Sequence, residues 1–74
     1  MRFRCGDQSV TLGHIGDRTV LTTDEGTFDV RLVKSGSGAK YEAYTDASTT
    51  FWNKGERAML AIKGKPYPEC ARER

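Results

Sequence analysis

Short alternations of apolar and polar residues, each closed by a turn signal, run the length of the chain. The clearest is Thr27–Val33, where Phe28, Val30 and Leu32 fall on one face and Asp29 and Arg31 on the other. That is the period-two pattern of a strand with one side in a core and the other in water. Ala58, Leu60 and Ile62 alternate with Met59, Ala61 and Lys63, and Val10 with Leu12 begins another alternation that Gly13 is expected to break as a bulge. Thr19–Thr23, Lys40–Tyr44 and Thr49–Lys54 read as further strands, with Phe3–Cys5 and Tyr67–Cys70 at the two ends. Turn signals lie between them at Gly6-Asp7, Gly16-Asp17, Asp24-Glu25-Gly26, Ser35 to Gly38, Asp46 to Ser48, Gly55-Glu56 and Gly64. No segment carries a helical period of useful length. The pattern predicts an all-β fold of about eight short antiparallel strands. In so short a chain these close most economically into an up-and-down β-barrel, which leaves no edge exposed, with a two-sheet sandwich as the alternative. Tyr67 and Cys70 are three positions apart and cannot share a face of a regular strand, so Pro68 between them implies a bulge or an edge.

Length and composition then narrow the picture. Seventy-four residues make one domain, residues 1–74, with no room for a deep catalytic cavity. With 36% apolar residues the core is thin, and a chain this small commonly needs a staple. Cys5 and Cys70 lie near opposite ends; joined, they close nearly the whole chain into one loop, a constraint that stabilises by about 4 kcal/mol. Free thiols are the alternative, and the better one for a cytosolic protein. The disulfide is favoured because both cysteines sit in strand-like flanks and neither has a metal-ligand partner. A disulfide implies the periplasm or the cell exterior. Met1 runs straight into Arg2 and Arg4 without a signal peptide, so an exported form is expected to be the mature part, soluble or held to the outer membrane by a lipid anchor absent from this chain. No apolar run approaches the length of a membrane span. The net charge of +2 arises from 12 basic and 10 acidic side chains scattered along the chain, which excludes a nucleic-acid footprint. Ala71 to Arg74 reads as a solvated basic tail. His14 has no neighbours at metal-ligand spacing and reads as a surface or rim residue; no metal and no cofactor are expected.

Ser35-Gly36-Ser37-Gly38 alone is a flexible surface tetrapeptide. Its weight comes from the segments downstream of it: Ala39-Lys40-Tyr41, then Phe51-Trp52-Asn53-Lys54-Gly55-Glu56-Arg57-Ala58-Met59-Leu60, then Gly64-Lys65-Pro66-Tyr67 and the second cysteine. This ordered set resembles the c-type lysozyme inhibitors of Gram-negative bacteria, in both the membrane-bound and the periplasmic branches. Their hallmark is a Ser-x-Ser-Gly-x-x-Tyr loop followed by Phe-Trp-x-Lys-Gly-x-x-Ala. The match is dense from Ser35 to Leu60 and reaches the ends through Arg4-Cys5 and Tyr67 with Cys70. The resemblance implies an eight-stranded antiparallel barrel closed by a disulfide, and an inhibitor rather than an enzyme, with c-type lysozyme as its protein partner. It implies that the Ser35–Tyr41 loop enters the active-site cleft. The family's loop serine falls on Ser37 and its lysine after the tryptophan on Lys54; Ser35, Gly36, Gly38 and Tyr41 complete the binding pattern. The chain departs from the pattern in a longer stretch between Tyr41 and Phe51 and an extra residue before Cys70.

The chemistry of these residues agrees with that role. A retaining glycosidase of the lysozyme type carries one carboxylic acid kept protonated and one carboxylate kept ionised, roughly 5 Å apart. The Ser37 hydroxyl can donate to the ionised group and accept from the protonated one, and flanking glycines let the backbone approach closely. The Lys54 ammonium then serves the remaining carboxylate lone pairs. Phe51 and Trp52 are adjacent on a strand and face opposite ways, so at least one belongs to the core rather than to a sugar-stacking surface. Ser37-Gly38-Ala39-Lys40 also matches the Ser-x-x-Lys of penicillin-binding enzymes, but no helix follows the serine as that chemistry requires. Glu42, Asp46 and Glu56 lie nearest in sequence to the loop and to Lys54 and are the expected acidic patch for steering a basic lysozyme. The other reading carried forward is a periplasmic β-barrel binding or adaptor module without inhibitory activity.

Overall fold

The computed structural model describes residues 1–73, and these contain strands and no helix. Arg74, the end of the expected basic tail, lies outside the described residues. The strands are β1 (Arg2–Cys5), β2 (Gln8–Ile15), β3 (Arg18–Thr23), β4 (Gly26–Val33), β5 (Ala39–Ala43), β6 (Asp46–Lys54), β7 (Arg57–Ile62), β8 (Lys65–Pro66) and β9 (Cys70–Arg72). Each pairs antiparallel with its neighbour from β1 to β7; β9 then bridges β1 and β7, so the sheet closes on itself. β8 and β9 lie one after the other along the same edge of β7, through Ala61↔Pro66 and Ile62↔Lys65 and then Arg57↔Ala71 and Ala58↔Cys70. They form one interrupted strand, and the result is a closed eight-stranded antiparallel barrel. The interruption at Pro68-Glu69 is what lets both Tyr67 and Cys70 turn toward the core although they are three residues apart.

The interior follows the alternation in the sequence. Phe3, Cys5, Val10, Leu12, Leu21, Val30, Ala43, Phe51, Ala58, Leu60, Ile62 and Cys70 form one buried cluster. Phe3 and Phe51 meet edge to face at its centre, with ring centroids 5.1 Å apart, a preferred aromatic geometry. Cys5 and Cys70 are directly opposed on β1 and β9 and joined by a disulfide. The two chain ends are thereby tied to one another inside the core.

Five expectations need correction. Asp46 to Ser48 is not a turn but the start of β6, the turn falling at Tyr44-Thr45, and Tyr67–Cys70 is not one strand, since residues 67–69 separate β8 from β9. Gly13 is not a bulge: it pairs in register with Val20, and the irregularity falls instead between Glu42 and Ala43 in the β5–β6 pair. Leu32 shares the inward side of β4 with Val30 yet is 64% exposed. The last β3 partner on that strand is Thr19, opposite Val30, so Leu32 stands beyond the closed wall at the rim. Ala71 and Arg72 are not a solvated tail but strand, with the Arg72 amide bonded to the Glu56 carbonyl at 2.9 Å and the Glu73 amide to that of Arg2 at 2.8 Å.

In this up-and-down order, the β2–β3 turn, the segment 34–38 and the β6–β7 turn share one end of the barrel, and the β1–β2, β3–β4 and β5–β6 turns share the other. Asp46 therefore sits at the far end from the Ser-Gly loop. The extra residues between Tyr41 and Phe51 are taken up there: the register slips between Glu42↔Thr50 and Ala43↔Asp46. Thr49, fully buried, donates to Asp46 at 2.9 Å and accepts the Lys63 amide at 2.9 Å.

Candidate functional site

The irregular loop is shorter than the Ser35–Tyr41 segment expected, because Ala39, Lys40 and Tyr41 already belong to β5. Residues 34–38 connect β4 to β5, and β5 runs beside β6 through Ala39↔Asn53, Lys40↔Trp52 and Tyr41↔Phe51. This register carries the loop to the end of β6, where Lys54 forms the last pair with Arg57 before the Gly55-Glu56 turn. Ser37 and Lys54, distant in sequence, are brought to one place by strand pairing.

The loop is held at several points. Gly38 has φ +66° and lies so close to β6 that a Cβ would overlap the Asn53 carbonyl oxygen and press on Lys54 Cγ, so only glycine fits both the conformation and the space. The Ser35 hydroxyl lies 3.0 Å from the Ser37 carbonyl and 3.3 Å from that of Gly38, donating across the loop. The Trp52 indole N–H donates to the Ser37 carbonyl at 2.7 Å. Gly36 has open space around it. With the backbone so engaged, the exposed Ser37 hydroxyl is left without a hydrogen-bond partner among the described residues.

Around Trp52 the charge is positive. Lys54 Nζ lies 4.3 Å from the centroid of its ring and Lys40 Nζ 5.1 Å, within the range of cation–π attraction. Phe51, next in sequence, is wholly inside, which puts Trp52 on the outer wall as strand alternation requires. Among the described residues the ion pairs of the barrel, Arg4–Glu73, Arg18–Asp29, Arg31–Glu42, Arg57–Glu69 and Arg72–Glu56, are all made by arginine. The Lys54 ammonium therefore has no salt bridge within the described residues to give up.

The remaining sequence candidates are distributed differently. Tyr41 stands opposite Phe51 and Leu32, half-buried against the core, rather than in the loop. Of the three acidic residues expected nearby, Asp46 is at the far end, its carboxyl held below the usual aspartate value of 3.8 by hydrogen bonds from Ser48 and Thr49. Glu42 is ion-paired with Arg31, and only Glu56, in the β6–β7 turn beside Lys54, shares the loop's end. His14 is exposed on β2, with Nδ1 3.2 Å from the Thr19 hydroxyl. The residue that sequence reasoning misses is Trp52 as the anchor of the loop. Its signal is present in the chain: an outward tryptophan beside an inward phenylalanine, with lysines at its strand partner and two positions on.

The family model for the membrane-bound lysozyme inhibitors of c-type lysozyme matches residues 3–68. The chain belongs to this family. The match takes in the whole of the Ser35–Gly38 loop, Trp52 and Lys54, and the family is one of lysozyme inhibitors. The family's name places its members at the membrane, in keeping with the cell envelope. No curated protein and no solved structure matches the chain.

Proposed function

We propose that this lysozyme-inhibitor-family barrel blocks c-type lysozyme by seating the 34–38 loop in the active-site cleft. There the Ser37 hydroxyl bridges the protonated and the ionised catalytic carboxyls and the Lys54 ammonium binds the ionised one. Ser35, Gly36 and Gly38 shape the loop, while Tyr41 supports it from the barrel wall. The observation that carries this reading is the convergence, at one end of a closed barrel, of a serine hydroxyl without a hydrogen-bond partner and an ammonium without a salt bridge among the described residues. A hydroxyl that both donates and accepts, beside a compact cation, matches a pair of carboxyls of unlike protonation. Nothing in this arrangement needs a covalent step, so inhibition is reversible and competitive with cell-wall substrate. The protein works in the periplasm, free or lipid-anchored to the outer membrane, where the disulfide persists.

The test is the inhibition constant of the Ser37→Ala/Lys54→Ala double variant against a c-type lysozyme, read from clearing of a cell-wall suspension, with its melting temperature alongside. A folded double variant that inhibits as well as the parent would remove the site assignment. A parent protein with no effect on clearing would favour the adaptor reading instead.

A further inference from the structure

We infer that Trp52 is the positioning residue of the inhibitory site, setting the direction of Ser37 through its indole N–H and the place of Lys54 through its ring; this rests on the reading of Ser37 and Lys54 as the lysozyme contacts. The indole reaches Ser37 at the carbonyl, not at the hydroxyl, at 2.7 Å. It fixes the peptide plane that follows the Ser37 Cα and so aims the side chain without itself bonding the hydroxyl oxygen. The same ring carries the Lys54 ammonium at 4.3 Å and that of Lys40, its cross-strand partner, at 5.1 Å. Two cations gathered at one ring raise the positive potential at the spot where carboxylates are to be met. A Ser-Gly loop without such an anchor would lose backbone freedom on entering a cleft, at about 1–2 kcal/mol per residue ordered. The Trp52 bond orders part of it beforehand, which raises affinity without any contact to the enzyme.

The two functions of the ring use different atoms, so experiment can separate them. Trp52→Phe keeps an aromatic face and deletes the N–H. Total synthesis of the chain with benzothiophene in place of the Trp52 indole deletes only the N–H, replacing nitrogen by sulfur at nearly constant shape. Both are expected to weaken inhibition about tenfold, the loss of one hydrogen bond. Trp52→Ala, which also removes the ring under Lys54, is expected to weaken it about thirtyfold. Melting temperatures should stay close to the parent's, since Trp52 is on the outer wall. The decisive readout is coupling: in the benzothiophene protein Ser37→Ala should cost clearly less than in the parent, while Lys54→Ala should cost the same. The chain has one tryptophan, so its single indole N–H resonance reports the bond directly and should be protected from solvent exchange in the free protein.

Benzothiophene substitution without effect on inhibition, purely additive losses, or a rapidly exchanging indole proton would each overturn the inference while Ser37→Ala and Lys54→Ala remain damaging. If those two variants inhibit normally, the fault lies in the underlying site assignment instead.

Discussion

Gly38→Ala is the smallest change that tests whether the loop is built or merely flexible. At φ +66° an alanine occupies the left-handed region at a cost of roughly 1 kcal/mol. Its Cβ also meets the Asn53 carbonyl oxygen, a backbone atom inside the β5–β6 and β6–β7 ladders that has no room to retreat. The loop must lift from β6, and the Trp52 bond to the Ser37 carbonyl goes with it, a further loss of about 1 kcal/mol. The barrel itself does not depend on this segment, so relaxation of the loop limits the fall in melting temperature to less than about 10 °C. Binding cannot escape in the same way, because the enzyme must find the loop in its original shape. About 2 kcal/mol appears as roughly a thirtyfold weaker inhibition constant. Gly36→Ala is the control for the free protein: nothing lies within 4 Å of the Cβ that an alanine would place there, and the position carries no positive φ, so this variant should leave the Trp52 indole N–H resonance as it is in the parent. A displaced indole resonance in both alanine variants, or no change in resonance and inhibition with Gly38→Ala, would refute the claim that the loop is held against β6.

Other outcomes rest on the same geometry. Ser37→Ala should weaken inhibition by about 1.5–3 kcal/mol, the value of a hydrogen bond to a charged group, and Ser37→Trp by more because it also blocks entry; isothermal titration against lysozyme reads both. Lys54→Ala should cost roughly 2–5 kcal/mol if its carboxylate partner is buried in the complex, with no change in barrel stability. Reducing Cys5–Cys70 should lower stability to denaturant by about 4 kcal/mol, measured from unfolding curves extrapolated to water with each form's own slope, which should be steeper for the reduced chain because its unfolded state is less compact. Asp46 has a lowered folded-state value, so its hydrogen bonds stabilise the fold above the ordinary 3.8 and are lost as pH falls through the folded value; the drop in melting temperature between neutral pH and about pH 3 should be smaller in Asp46→Asn than in the parent.

Strand alternation makes the core legible. Val10, Leu12, Val30, Phe51, Ala58, Leu60 and Ile62 all point inward as their period-two pattern implies. What the pattern cannot convey is where the wall ends. Leu32 obeys the alternation of β4 and is still exposed, because exposure at a rim depends on how far the next strand extends. Gly13 reads as a bulge because the alternation fades after it, yet His14 and Ile15 simply run out to an exposed barrel end while pairing in register with β3. The site is legible as a set of residue types, through the Ser-Gly loop and Phe-Trp-x-Lys-Gly. Its assembly is not, because it depends on β5–β6 register, and residues added between Tyr41 and Phe51 could shift Lys54 away from the loop. They do not: a slip absorbed beyond Glu42 leaves Ala39↔Asn53 and Lys40↔Trp52 intact.

The choice of lysine at position 54 has a physical rationale in the charge pattern. Arg4, Arg18, Arg31, Arg57 and Arg72 are engaged with carboxylates of the same chain, in largely exposed pairs that contribute little to stability. An arginine at position 54, with its fork of donors, would compete with Arg72 for the Glu56 carboxylate in the adjoining turn, and such a pair would have to break before an enzyme carboxylate could be met. An ammonium resting on the Trp52 ring is held at 4.3 Å by an attraction worth only about 0.5–1 kcal/mol at an exposed site. It is placed without a salt bridge among the described residues. Transfer from the ring to a carboxylate then gains far more than it gives up, since a charge pair shielded from water is much stronger than a cation–π contact at the surface. Lys54→Arg should therefore inhibit less well than the parent despite its unchanged charge, and the deficit should shrink when Glu56→Gln is added. A Lys54→Arg variant equal to the parent would show that charge alone, rather than a compact cation kept free by its aromatic rest, is what the site supplies.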